Sequence, residues 1–504
     1  MSWLSDNAHF TALLSEIRTA LPPKTKAYLV GGAVRDLISS QIIHDLDFLL
    51  FTPGKVIRIA RKIADALGAA FYALDKERDT ARLIHSFPDG TRLNLDFAAP
   101  RGDGLKEDLL ERDFTINAMA IDLDAMDQII DPLNGRNDIF NKTLRACSEN
   151  SFIHDPLRIL RGARLAVQYD YRITPVTLLW MRQAIPNLSN VSPERVRDEI
   201  FRILSGKKVS SSLRVIEKIG ILTNIFPELI DLEGVQQSHP HILDVWDHTL
   251  SVVRSLEELL FVLDVNTNLE EIGNHTYGLV SLQLGRYRQE IAAHFSKWIN
   301  PDRSGKSLLF LAALYHDVGK AQTQSHDSKG NIHFYQHEKF SKEKLEDRAH
   351  DLRLSCQEID RLGIIAGGHL RPLLLNQSSE TPGRRAIYKF WRDLGEAGVD
   401  ICLLSIADLM GTHGPSLASD TLMSHLRTVR TLLDAWWQNQ QEMVSPPALI
   451  NGTQLLKELD LKPGPIVGQI LEAVRQAQVE GTVSDSQQAL RYAREWLENP
   501  QEDL

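Results

Sequence analysis

Cysteine is scarce: Cys147, Cys356 and Cys402 are the only three in 504 residues. They lie too far apart to read as a disulfide framework or a Cys-x-x-Cys metal clip. No apolar run approaches the 18 or so residues a membrane span needs, and SLLFLAALY (307–315) has only the length of a buried helix. The opening MSWLSDNAHF lacks the basic start, long apolar core and small-residue cleavage site of a secretory signal. Internal repeats and low-complexity tracts are absent as well. These absences predict a cytoplasmic protein with no membrane partner. What is present is ordinary globular composition, 43% hydrophobic and 24% charged. At about 150 residues per domain the length predicts three or four folding units. The formal charge of −10 argues mildly against nucleic acid but says little about a local patch.

Residues 1–140 read as mixed α/β. KAYLV (26–30) and DLDFLLF (45–51) are strand-like, and GKVIRIARKIADALG (54–68) has helical apolar spacing. AFYAL and TARLIHSF follow as strands, and a Pro88-Asp89-Gly90 turn into TRLNLDF (91–97) predicts a hairpin. From about 141 strands nearly vanish, and helical patterns recur at 155–168, 174–185, 193–205 and 210–220. Residues 141–230 hold 14 Lys and Arg against 8 Asp and Glu, a basic stretch in an acidic chain. Solvated helix faces or an RNA-facing patch would each give that balance. The segment 268–281 is expected to be a loop or insertion, and 445–453 a linker.

VGGAVRD (30–36) places Gly31 and Gly32 between a strand and a helix, where backbone can approach a phosphate closely. Arg35 is either a phosphate-binding guanidinium or an exposed helix charge. Asp45 and Asp47 share one face of a strand, since side chains alternate. Two carboxylates so close call for a hard cation, and Mg²⁺ with substrate phosphates suits them. Asp96 lies with Arg92 and Asn94 on one face of its strand, as a third carboxylate of the site or as a solvent-facing residue.

The ordered motifs LVGGAVRDL, DLDF, RDFTINAMA (112–120), DPLNGRNDI (131–139) and DPLRILRGARLA (155–166) resemble the class II tRNA nucleotidyltransferase and bacterial poly(A) polymerase family. The resemblance implies that Asp45, Asp47 and Asp96 are catalytic, with Asp45 and Asp47 holding Mg²⁺. It implies a triphosphate seat at Gly31, Gly32 and Arg35, and ribose recognition by Arg112, Asp113 and Asn117. The alternative for Arg112–Asp113 is a structural salt bridge.

Asp155 and Arg158, three apart in an expected helix, would by default form an intrahelical ion pair. The family likeness implies instead that they imitate a template base, with Arg161 in support. The arginine would donate to cytosine O2 and N3 while the carboxylate accepts from N4–H₂. Adenine fits the same two groups, whereas uracil reverses both polarities. His154 stands where the family usually has glutamate. The interval DFAAPRGDGLKEDLLERDF also lacks the family's extended flexible segment, with Gly102-Asp103-Gly104 simply joining strand to helix. That shortening resembles the CC-adding specialists.

His-Asp occurs five times, at 44, 154, 316, 326 and 350, so the dipeptide alone means nothing. His316-Asp317 differs because it ends an apolar helix and is accompanied by His248, His337, His369 and Asp408. This order resembles the HD metal-dependent phosphohydrolases and implies a site for Ni²⁺, Co²⁺ or Mn²⁺. The tail LINGTQLLKELDLKPGPIVGQIL resembles the end of HD-containing members and implies possible tRNA contact.

The expected fold is α+β: a mixed α/β nucleotidyltransferase head (1–140), an all-helical neck (141–230), an HD body (231–440) and a helical tail (441–504). The expected activity is addition of cytidines, CC, to tRNA 3′ ends from CTP, with ATP as a further possible donor and pyrophosphate as product. Full CCA addition, A addition and poly(A) synthesis are the alternatives within the class. An HD phosphohydrolase with an RNA-binding head, or a noncatalytic RNA-binding module, lies outside it.

Overall fold

The computed structural model describes residues 8–498 except 42, 44, 88, 89, 103, 269, 271, 272, 301, 302, 379 and 380. The Pro88-Asp89 turn, Asp103, part of the 268–281 segment and the first seven residues therefore lie outside the described residues. No helix among the described residues is long and apolar enough to cross a membrane.

The chain forms two compact units, one of residues 1–199 and 214–224, the other of 200–213 and 225–504. In the first, seven strands form one sheet: β1 (Lys26–Val30), β2 (Asp45–Phe51), β3 (Ala70–Asp75), β4 (Thr80–Ser86), β5 (Arg92–Ala98), β6 (Ala120–Asp122) and β7 (Ala125–Ile130). Their spatial order is β3-β4-β5-β2-β1-β6-β7, and only β2 and β5 run parallel. The expected β4–β5 hairpin is there, with Ser86 opposite Arg92 and Gly90 at φ 84°.

Alternation decides which face of this sheet is dry. Leu46, Phe48 and Leu50 of β2 are buried with Leu95 and Phe97 of β5, and Phe48 stacks on Phe97 at 4.9 Å. Helix Val56–Leu67 covers that face with Val56, Ile59, Ala60, Ile63 and Ala64, a helical-period stripe. Its free N-terminal N–H groups donate to Asp79, from Val56 at 2.7 Å and Ile57 at 3.1 Å, and Gly68 ends it in the left-handed region. Each large apolar side chain so buried contributes about 1.5–3 kcal/mol. The opposite face of β2 is left for Asp45 and Asp47.

Beyond residue 141 only strands of two or three residues remain, as the sequence predicts. Helices Pro175–Ala184, Pro193–Leu204 and Val209–Ile219 match their expected ranges closely. The helix expected from 155 begins instead at Arg158. Asp155 is extended (φ −148°, ψ 94°), because the following Pro156 disfavours helical backbone before it. Part of the expected 268–281 loop is helical, with His275–Leu284 capped by the Asn274 side chain. In the second unit, helices Val245–Val262, Gly305–Tyr315, His337–Asp351, Cys356–Gly368 and Ala397–His413 pack on one another. The tail helices Gly452–Glu458, Pro465–Glu480 and Ser486–Glu498 carry a small core of their own around Ile470, Val474 and Trp496.

Candidate active site and metal centre

The polar face of β2 meets β5 in parallel register, with Asp45 beside Asn94 and Asp47 beside Asp96. Asn94 Nδ2 donates to Asp45 at 2.8 Å. Asp96 accepts two hydrogen bonds from Arg82 of β4, at 2.8 and 2.7 Å, so this carboxylate has its own counter-ion. Burial raises the Asp47 carboxyl above its ordinary pKa; Asp96 and Asp45 raise it further, while Arg112 and Arg161 oppose. Three carboxylates crowded on one face, with one neutralised by arginine, fit a divalent cation at Asp45 and Asp47. Gly31 sits against them at φ 78°. A Cβ there would lie 3.0 Å from Asp47 Oδ2 and 3.1 Å from Arg112 Nη1, so only glycine allows the approach.

Arg35 does not lie open to a phosphate. It is buried, and its guanidinium donates to Asp36 (2.9 Å), to Asn117 Oδ1 (2.6 Å) and to the Tyr169 hydroxyl (2.5 Å). Gly32 leaves it room, since a Cβ would meet Arg35 Nη2 at 3.2 Å. Asn117 passes the contact on by donating to Asp113 Oδ1 at 3.1 Å, and Arg161 Nε lies 2.8 Å from Asp113 Oδ2. Burial would raise the Asp113 pKa, but Arg161, Asn117 and the Phe114 N–H hold it below the ordinary value. Asp113 and Asn117 thus form a buried frame, and Arg112 of that trio borders Asp47. Asp108, almost fully buried, accepts from Arg112 Nε (3.1 Å) and from the Arg101 N–H (3.0 Å).

Asp155 stands before the helix that Arg158 opens, and the Arg158 N–H donates to the Asp155 carbonyl at 3.1 Å, while their side chains turn to other partners. Asp155 Oδ2 accepts from Arg195 Nη2 at 2.7 Å, and its Oδ1 is buried without a hydrogen-bond partner. Arg158 Nη1 donates to the Ser151 carbonyl at 3.2 Å, and the guanidinium has Asp113, Arg101, Asp155 and Arg161 around it. His154 Nδ1 lies 2.9 Å from Glu111 Oε2.

In the second unit the structure brings His248, His316, Asp317, His337, His369 and Asp408 together, all buried. They fall into two groups, His248–His316–Asp408 and Asp317–His337–His369, each with ligand atoms within 4.8 Å of one another. Asp317 spans both: Oδ2 lies 3.3 Å from His248 and His316, and Oδ1 lies 3.2 Å from His337 and 3.7 Å from His369. The Nδ1 atoms of His316, His337 and His369 sit 2.7–2.8 Å from the carbonyls of Ala313, Phe334 and Ala366. A carbonyl only accepts, so in the neutral ring Nδ1 carries the hydrogen and Nε2 keeps its lone pair. All three Nε2 atoms lack hydrogen-bond partners, as does His248 Nε2. Burial opposes protonation of His316 while Asp317 and Asp408 favour it, whereas burial and the neighbouring His316 hold His369 well below the ordinary histidine value. Donors of this type fit a transition metal. All six residues singled out in the sequence take part in these two groups.

Residues 27–145 match the Poly A polymerase head domain, and 281–406 match the HD domain. Residues 170–232 match the RNA and SrmB binding site of polymerase A, and 429–493 match tRNA nucleotidyltransferase domain 2. An A-adding tRNA nucleotidyltransferase of Deinococcus radiodurans is 28% identical over 95% of this chain and 98% of its own. Over nearly its whole length the chain is thus similar to tRNA nucleotidyltransferases. A CC-adding tRNA nucleotidyltransferase of Synechocystis is also 28% identical, over 94% of each chain. A solved CCA-adding enzyme in complex with ATP shares the fold at TM-score 0.61 and 20% identity, over 98% of this chain and 96% of that one.

Several residues of these two sites escape sequence reading. Arg82 and Arg195 reach Asp96 and Asp155 from distant segments, with no local signal. Asp108 precedes Arg112 by one helical turn, a spacing that could have found it. Lys320 follows Asp317 by three residues; it is buried and bonds Asp317 Oδ2 at 2.7 Å and Gln237 Oε1 at 2.8 Å. His248 and Asp408 lie outside the HD-domain match and join the cluster through the fold.

Proposed function

We propose that this protein is a tRNA nucleotidyltransferase that adds cytidines to the tRNA 3′ end and stops after CC. The tRNA 3′-hydroxyl oxygen bonds to the α-phosphorus of CTP, the α–β phosphoanhydride bond breaks, and pyrophosphate leaves with the hydroxyl proton released to solvent. Mg²⁺ at Asp45 and Asp47 would stabilise charge on the attacking and transferring oxygens. Asp96, held by Arg82, keeps the third carboxylate beside them. Gly31 lets backbone reach this face, where Arg112 and Arg161 supply positive charge for a triphosphate. Arg35, through Asn117 and Asp113, positions Arg161. In the base-reading role, Arg158 donates to O2 and N3 of cytosine, and the free Oδ1 of Asp155 accepts from N4–H₂.

The observation that carries the stop after CC is the short joint of residues 99–104 between β5 and helix Leu105–Leu110. Asp108 bonds both the Arg101 backbone and the Arg112 side chain, so Arg101 is fastened to the Arg112 segment. A connection fastened at Arg101 supports a template that does not resize for adenine. CC-adding and A-adding relatives are equally similar, at 28% identity, so nucleotide choice must be measured. The experiment is incubation with Mg²⁺ and tRNA ending before, within or after CC, each NTP tested separately. Efficient CTP addition to the first two, and poor ATP addition to CC-ended tRNA, is expected. ATP addition to CC-ended tRNA as fast as cytidine addition would mark full CCA or A addition. Long A tails on unstructured RNA would mark poly(A) synthesis.

The six converging ligands of the second unit favour a second activity, metal-dependent phosphohydrolysis. Ni²⁺, Co²⁺ or Mn²⁺ held there would activate water. Lys320 would add positive charge beside Asp317 for a phosphoryl group.

A further inference from the structure

The Arg112 segment borders the carboxylate face, and the Asp155–Arg158 pair stands some forty residues further along the chain. The short helix Asn150–His154 joins them. Near its start, Ser151 Oγ donates to the Arg112 carbonyl at 3.1 Å, and the Ser151 carbonyl holds Arg158 Nη1 at 3.2 Å. At its end, His154 Nδ1 meets Glu111 Oε2 at 2.9 Å. Two consecutive residues, Glu111 and Arg112, thus grip this helix at both ends, and the residue after His154 is Asp155. Ser151 alone would fix one end and let the helix pivot about it; the second contact fixes its angle. The His154 and Glu111 side chains are 49% and 47% exposed, so neither fills the core, and replacing them leaves no cavity.

We propose that Glu111 and His154 form a latch that sets the position of Asp155 and Arg158 relative to the Arg112 segment, making both of them positioning residues for nucleotide choice. This rests on the base-reading role given above to Asp155 and Arg158. His154→Glu would set two carboxylates against each other, and Glu111→Lys would set a cation against the histidine. Together the two changes set a carboxylate against a cation, with the two sides exchanged.

The test measures kcat and KM for CTP and for ATP on tRNA lacking its 3′ CCA, together with the thermal midpoint. His154→Glu, Glu111→Gln, the Glu111→Lys/His154→Glu double variant and Asp155→Ala are compared with the unaltered chain. Loss of an exposed side-chain contact of this kind corresponds to about a two- to five-fold effect. His154→Glu, which adds repulsion, is expected to reduce the CTP-over-ATP preference about five- to ten-fold, through KM more than kcat, with an unchanged thermal midpoint. Glu111→Gln is expected to reduce it about two- to five-fold, and the double variant to recover most of it. An unchanged preference in His154→Glu and Glu111→Gln while Asp155→Ala relaxes it would overturn the latch and leave the base-reading role standing. A changed preference that the double variant does not recover would also overturn the latch. An unchanged preference in Asp155→Ala would overturn the base-reading role and the latch with it.

Discussion

Glu228 accepts two hydrogen bonds from Arg348, at 2.8 and 2.7 Å, and a third from the hydroxyl of Tyr315. Tyr315 immediately precedes His316, so this partly buried pair braces the segment that carries His316 and Asp317. Burial would raise the Glu228 pKa, but Arg348 and Tyr315 hold it below the ordinary glutamate value. A depressed carboxyl pKa contributes stability that is fully present above the unfolded value of about 4.3 and is lost as pH falls through the folded one. Glu228→Gln should therefore unfold more easily than the unaltered protein at pH 7, by about 2–3 kcal/mol, between exposed and fully buried pairs. Urea denaturation at pH 7 and at stepwise lower pH checks this. The two proteins should converge as pH drops below about 4, and a gap independent of pH would assign the effect to packing. At this scale, strand alternation was enough to single out Asp45 and Asp47, while the histidines and Asp408 that the fold brings together were singled out by the helix context of His316-Asp317 and by their order along the chain. The counter-ions Arg82, Arg195 and Arg348 were not legible, since each comes from a distant segment. Arg35 has two readings in the sequence, and the fold buries it among Asp36, Asn117 and Tyr169.

Among elements, the joint of residues 99–104 carries the most functional weight. It is short, and Asp108 fastens it at Arg101. A longer flexible segment inserted after Arg101 would separate Arg101 from that anchor and let the template residues move. Such an insertion is expected to raise ATP incorporation on CC-ended tRNA by more than it changes CTP incorporation on shortened tRNA. Equal changes for both nucleotides would point to general loosening instead. The missing length of the joint was visible in sequence, whereas its fastening by Asp108 needed the fold. Helix ranges were legible wherever an apolar stripe repeats at helical period, as in Val56–Leu67 and Val209–Ile219. The helix start at Arg158 was misplaced because periodicity extends through Pro156 while backbone sterics do not. Likewise the Asn274 cap marks the helix start inside the expected loop, although its apolar stripe is weak.

Across the whole molecule, the carboxylate face and the histidine cluster belong to different compact units and share no residue. Acidic net charge coexists with a basic stretch at 141–230, so the composition of the whole chain concealed the segment that follows the head. The central claim is that Asp45 and Asp47 perform nucleotide addition independently of the histidine cluster. The most direct measurement is labelled CTP incorporation into tRNA lacking CCA by Asp47→Ala and by His316→Ala/Asp317→Ala, with tRNA binding and bound transition metal assayed on the same preparations. Loss of a cation ligand should remove several kcal/mol of transition-state stabilisation. Asp47→Ala is expected to bind tRNA and retain the metal but lose incorporation, and the double variant to lose the metal and its phosphohydrolase activity but keep incorporation. Near-normal incorporation by Asp47→Ala, or its loss in a folded double variant, would contradict the account.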